Sequence, residues 1–173
     1  MARITTSTRD VTPDDSLSRL MEPWLIALES SGIATTLRNS VWLYPLVNTG
    51  HVLGVALLFG GIVPLDLRLL GLWRNLPLAP LWQVLRITSA AGLAVAVVCG
   101  TLLFSTRATE YAVSPWFQAK MLVVLLAVTN ALWLAWYTRV GGPWKADVAR
   151  LPAAISLVAW GAALCLGRLL GYF

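Results

Sequence analysis

The chain has 173 residues, 58% of them hydrophobic and only 12% charged, with a mean hydropathy of +0.73. That composition excludes an ordinary soluble domain and points to an integral membrane protein of one domain. The net charge of +5 comes from basic residues scattered singly between apolar runs, with no basic stripe for a phosphate backbone; nucleic acid is therefore excluded as a partner, and the lipid bilayer is expected.

Residues 1–40 form an N-terminal segment ahead of the transmembrane domain, 41–173. The segment has no apolar stretch before a small-residue cleavage site, so no cleavable signal peptide is expected and the first span is expected to act as the insertion signal. Leu17, Leu20, Met21, Trp24 and Leu28 recur at helical spacing, with Asp15 or Ser16 as a cap and Gly32 as a stop. This predicts an amphipathic helix lying on the membrane interface, with Pro23 either in its first turn or dividing it.

Four segments are long and apolar enough to cross a hydrocarbon core, which takes about 20 helical residues. They cover about 41–65, 86–106, 117–138 and 152–172. The intervening stretches carry the charge, Pro and Gly that end helices. The expected fold is therefore an all-α integral membrane protein, with four transmembrane helices in an up-and-down bundle and the interfacial amphipathic helix at its N-terminus. Arg68, Arg74 and Arg86 flank the first loop and Arg139, Lys145 and Arg150 the third, which predicts that both loops are cytoplasmic. Both termini are then periplasmic, in the inner membrane of a bacterium. Asp66 is expected at the cytoplasmic rim, paired with Arg68 or Arg86.

Trp42, Tyr44, Trp73, Trp82 and Trp116 fall near span ends, as an aromatic belt does. Small residues line up at Gly50 and Gly54, at Gly92, Ala96 and Gly100, and at Ala163, Gly167 and Gly171; such stripes predict close helix contacts.

The chemistry-bearing residues are few. His51, in "NTGHVLG", is the one histidine of the chain and is placed ~15 Å inside the first span, close to mid-membrane. Asn48 lies one turn from it on the same face, and Asn130 is counted to a similar depth. Lys120 and Arg168 lie nearer the periplasmic end, and Thr101 and Ser105 add hydroxyls. Ionisable residues at such depth are costly unless paired, so they mark candidate sites. An imidazole in an apolar bundle is a standard axial ligand for haem iron, with Lys120, Arg168 or Arg107 as propionate partners. The candidate cofactor-binding set is thus His51, Asn48, Lys120, Asn130 and Arg168, with His51 as the metal ligand and haem b as the cofactor. One histidine from this chain leaves the site five-coordinate, or leaves the second axial position to Met121, Lys120 or another subunit. Copper on His51, Cys99, Cys165 and Met121, or a quinone bonded to His51, are the alternatives. A further alternative has His51 tied to Asn130 or Asn48 purely to join helices. Neither a nucleophile elbow, paired intramembrane carboxylates, HExxH nor a phosphate loop occurs, so hydrolytic chemistry finds no motif and enzymatic activity is left open.

"SVWLYPLVNTGHVLGVALLFGGIVPLDLRLLG" together with "GTLLFSTRATEYAVSPWFQAKMLVVLLAVTNALW" resembles a family of small bacterial four-helix membrane proteins that constitutes a domain of unknown function, over about residues 38–140. More distantly, the His51 region and the lysine of "FQAKMLVVLLAVTN" resemble the CopD-type copper-transport and HemJ-type protoporphyrinogen oxidase membrane families. By that resemblance His51 matches the haem-ligand histidine of the HemJ type and Lys120 its functional lysine, whereas Asn130 stands where that type tends to carry another histidine. The function implied is a haem-binding or redox-associated inner-membrane subunit, working with other membrane or periplasmic redox subunits. The alternatives are a non-enzymatic anchor or assembly subunit of a larger complex, and a copper-handling protein.

Overall fold

A computed structural model describes residues 22–140 and 146–172. The described residues are helical apart from short turns, and contain no strand. A short helix α1 (22–29) leads into α2 (Gly32–Asn39), and the long helices α3 (Leu43–Leu70) and α4 (Leu78–Thr106) follow. A six-residue helix α5 (Ala108–Val113) turns the chain into α6 (Pro115–Val140), and α7 (Ala146–Leu169) completes the fold. Four of these helices are long and apolar enough to span a bilayer, so the chain is an all-α membrane bundle.

The sequence reasons for the helix ends are local. Ser31 caps α2, its hydroxyl accepting from the Ala34 amide at 3.3 Å, so Ser31 and Gly32 divide the N-terminal segment into two helices instead of one. Pro23 stands in the first turn of α1, where the missing N–H costs nothing. Leu17, Leu20 and Met21 of the expected amphipathic face lie outside the described residues. Trp24 is 77% exposed, while Ala34 and Leu37 of α2 are buried where α2 packs on α3 and α4.

The first span runs several residues past its expected end because α3 continues through Pro64 and Asp66 to Gly71. Gly71 stops it in the left-handed region, φ 111°, with its amide on Arg68 O and the Leu72 amide reaching back to Leu67 O at 3.0 Å. Arg68 then closes the connecting loop, donating to Leu76 O at 2.9 Å and to Arg74 O at 3.0 Å. It is thus engaged with loop carbonyls and not with Asp66. Pro77 and Pro80 belong to the start of α4, where proline suits the first turn, which moves the beginning of that span from 86 to Leu78.

Neighbouring long helices run antiparallel. Two apolar clusters fix their register: Leu58 of α3, Ala127 of α6 and Trp160 of α7 in one, and Leu65 and Leu69 of α3, Leu134 of α6 and Ala149 and Ala153 of α7 in the other. The α3–α4 seam is the tightest. A methyl group on Gly54 would come within 2.5 Å of the Ala96 backbone nitrogen, and one on Gly92 within 2.7 Å of Gly54 O. These glycines are small because backbone meets backbone there; the large aliphatic side chains, such as Leu53, Leu57, Val97 and Val98, point outward. Where α5 links α4 to α6 the contact is aromatic instead, with Phe104 of α4, Tyr111 of α5 and Phe117 of α6 stacked at centroid distances of 5.1 to 6.4 Å.

At the end of the bundle where α1 and α2 sit, Glu29 accepts from the Thr109 hydroxyl at 2.7 Å and the Thr109 amide at 3.1 Å, so it satisfies a donor of the first turn of α5. Arg38 bridges the same region, donating to Glu29 O and to Thr106 O, both at 3.1 Å. The Thr109 hydroxyl and amide hold the Glu29 carboxyl below its ordinary value of 4.5, with the Arg38 charge adding to the effect.

Candidate functional site

His51 stands on the α3–α4 seam. Its ring lies over Gly100, where an added methyl would meet Cε1 at 3.1 Å, and its Nδ1 is 2.8 Å from Ala96 O. A carbonyl can only accept, so Nδ1 carries the proton and the ring is the tautomer whose Nε2 presents a lone pair. No hydrogen bond to Nε2 occurs among the described residues. Such an arrangement, one ring nitrogen pinned to a backbone carbonyl and the other left as a donor atom, is how proteins orient a ligating or hydrogen-bond-accepting imidazole.

The register of the bundle brings Lys120 to the same layer. Seven residues before Leu58 and Ala127, along α3 and α6, stand His51 and Lys120; seven after Trp160, along α7, stands Gly167. The Lys120 side chain crosses Gly167, where an added methyl would come 3.3 Å from Nζ and 3.4 Å from Cε. Its ammonium is close enough to act electrostatically on the imidazole. Two basic side chains and two glycines, Gly100 and Gly167, therefore form one layer in the half of the bundle nearer α2 and α5.

The other expected members of this site differ in exposure, partner or depth. Asn48 is exposed, one turn toward the helix start. Arg168 is also exposed and bonds back to Tyr172, whose hydroxyl accepts from its guanidinium and whose ring it covers at 4.6 Å. Asn130 is not level with His51: it follows Ala127 by three residues, about 15 Å further along the bundle than Lys120, and donates to Pro152 O at 2.9 Å. Thr101 and Ser105 turn their hydroxyls onto carbonyls of their own helix. Cys99 fills the space beside Gly50, Cys165 and Met121 are exposed, and no three His, Cys, Asp or Glu side chains converge among the described residues.

A second polar layer escaped the sequence reading. Asn130 of α6, Ser89 of α4 and Ser156 of α7 lie between the two apolar clusters, and Asp66 of α3 stands one residue past Leu65, at the near edge of the second. Asp66 is 4% exposed and hydrogen-bonded to Ser156. The signal available was the aspartate directly after an apolar run, "GGIVPLD", which hydropathy alone treats as a span end.

Two basic groups and a separate buried carboxylate inside a four-span bundle define an integral membrane protein with polar centres at two depths. No family model, no curated protein and no solved structure matches the chain.

Proposed function

We propose that this protein is a haem-binding or redox-associated membrane subunit in which His51 would ligate the metal of the cofactor and Lys120 would pair with one of its anionic groups. The observation that carries the reading is the Nδ1 to Ala96 O bond, which fixes the imidazole with Nε2 as a free donor atom. A b-type haem fits this donor chemistry, since it takes a neutral imidazole on iron and cationic partners on its propionates. The α3–α4 seam, closed by Gly54 and Ala96, offers no room for a macrocycle. A cofactor ligated by Nε2 would therefore meet the ring on its accessible side. When bound, such a group supplies one-electron chemistry. The chain's own contribution is to pin the tautomer, hold Lys120 across Gly167, and keep lipid-facing surface around both. Arginines flanking the first and third loops favour a bacterial inner-membrane orientation with both termini periplasmic, placing the His51 layer in the periplasmic half.

Protein purified from its native membrane tests the proposal by absorption spectroscopy and metal analysis. The expected result is a Soret band that Asn48→Ala retains and His51→Ala abolishes; a colourless protein, or a band that survives His51→Ala, overturns it. The close seam favours a second reading, in which the chain is a non-enzymatic anchor or assembly subunit and His51 serves only to join α3 to α4. That reading expects a colourless protein whose partner subunits are lost with His51→Ala.

A further inference from the structure

Two buried side-chain polar atoms lack a hydrogen-bond partner among the described residues: Asp66 Oδ2 and Trp160 Nε1. One can only accept in the carboxylate form and the other can only donate, so they are complementary. Both side chains are 4% exposed. Ser156 connects them, because it is hydrogen-bonded to Asp66 and stands one turn before Trp160 on the same face of α7. Helical side chains lean toward the N-terminus of their helix, and for Trp160 of α7 that is the direction of Ser156. Buried orphans are rare in folded proteins and call for an unseen partner, and a paired donor and acceptor in one interior region are what an internal water satisfies.

We infer that the α3–α7 interface holds an internal water site, bounded by Asp66, Ser156 and Trp160, within the polar layer that Ser89 and Asn130 complete. The layer is roofed by Leu58 and Ala127 and floored by Leu69 and Leu134, with Leu65 beside Asp66, so the water exchanges slowly with solvent. The nearest member of the site, Trp160, stands seven residues from Gly167 and so about 10 Å along α7 from the His51 layer, and Asn130 stands ten residues and about 15 Å along α6 from Lys120. Within a membrane a hydrated carboxylate is the element on which ion and proton pathways are built.

Nuclear magnetic resonance of indole-labelled protein in lipid nanodiscs tests the site, with the Trp160 resonance assigned by its loss in Trp160→Phe. The expected result is a cross-peak between the Trp160 indole proton and water, lost in Asp66→Leu while Ser105→Ala retains it. If Asp66→Leu does not fold, Asp66→Asn serves in its place, and a smaller cross-peak is then expected. An indole proton with no cross-peak to water in the wild-type protein overturns the inference. So does a resonance that shifts on adding sodium chloride but not choline chloride, which assigns the space to a cation.

Discussion

Gly54 of α3 and Ala96 of α4 meet backbone to backbone: a methyl group on Gly54 would stand 2.5 Å from the Ala96 nitrogen, and the carbonyl of that same Ala96 receives the His51 imidazole. The contact that closes the bundle and the bond that orients its one histidine are thus built on a single residue. A change at either glycine of the seam displaces both.

The seam predicts opposite outcomes for two glycines six residues apart in α3. Gly54→Val forces backbones apart and is expected to lower stability by about 1–3 kcal/mol, the usual range for overpacking. Gly60→Ala meets nothing within 4 Å and is expected to be neutral or slightly stabilising, since alanine is the better helix former. Denaturation in detergent, followed by near-ultraviolet circular dichroism, separates the two.

His51→Ala is expected to cost little stability. Ala96 O lies inside α4, where the helical ladder also supplies it with a partner, so loss of the imidazole removes one bond of about 0.6 kcal/mol on the membrane scale. Thermal unfolding of the cofactor-free form measures this, and a loss several times larger would assign His51 a structural role.

Lys120 depends on Gly167 for its path. Gly167→Leu fills the space that Lys120 Cε and Nζ cross, and the ammonium is expected to leave the His51 layer for the interface, as long basic side chains do when displaced. Faster labelling of Lys120 by an amine-reactive reagent in this variant than in the wild type, quantified by mass spectrometry, is the expected outcome.

Docking of the N-terminal helices is expected to depend on pH through Glu29. Its carboxyl is depressed by the Thr109 hydroxyl and amide and by Arg38, so the stabilisation is complete above the unfolded value of about 4.5 and fades as pH falls through the lower folded value. The protection of the Thr109 amide, the intrinsic exchange rate relative to its observed rate at the same pH, is expected to fall below about pH 4.5. Glu29→Gln and Arg38→Ala are expected to show the lower protection already at neutral pH.

Composition and hydropathy determined that this chain is an all-α membrane bundle with four spans, because burying unpaired backbone in lipid leaves helices as the natural solution for long apolar runs. The stripes at Gly50 and Gly54, and at Gly92, Ala96 and Gly100, were legible too, since close contact requires small residues at helical spacing. The tertiary structure decided which polar residues meet. Depth counted from hydropathic span ends put Asn130 level with His51, but an error of a few residues at 1.5 Å each becomes several ångströms, and the packing of Leu58 against Ala127 sets Lys120 at that level instead. Asp66 was read as a rim residue because charge marks the end of an apolar window. The helix continues past it to Leu70, and Ser156, remote in sequence, lies where the carboxylate can be buried. Local sequence fixes which segments are helices and where they stop; the partners of side chains inside a membrane depend on helix register, which only the packed bundle reveals.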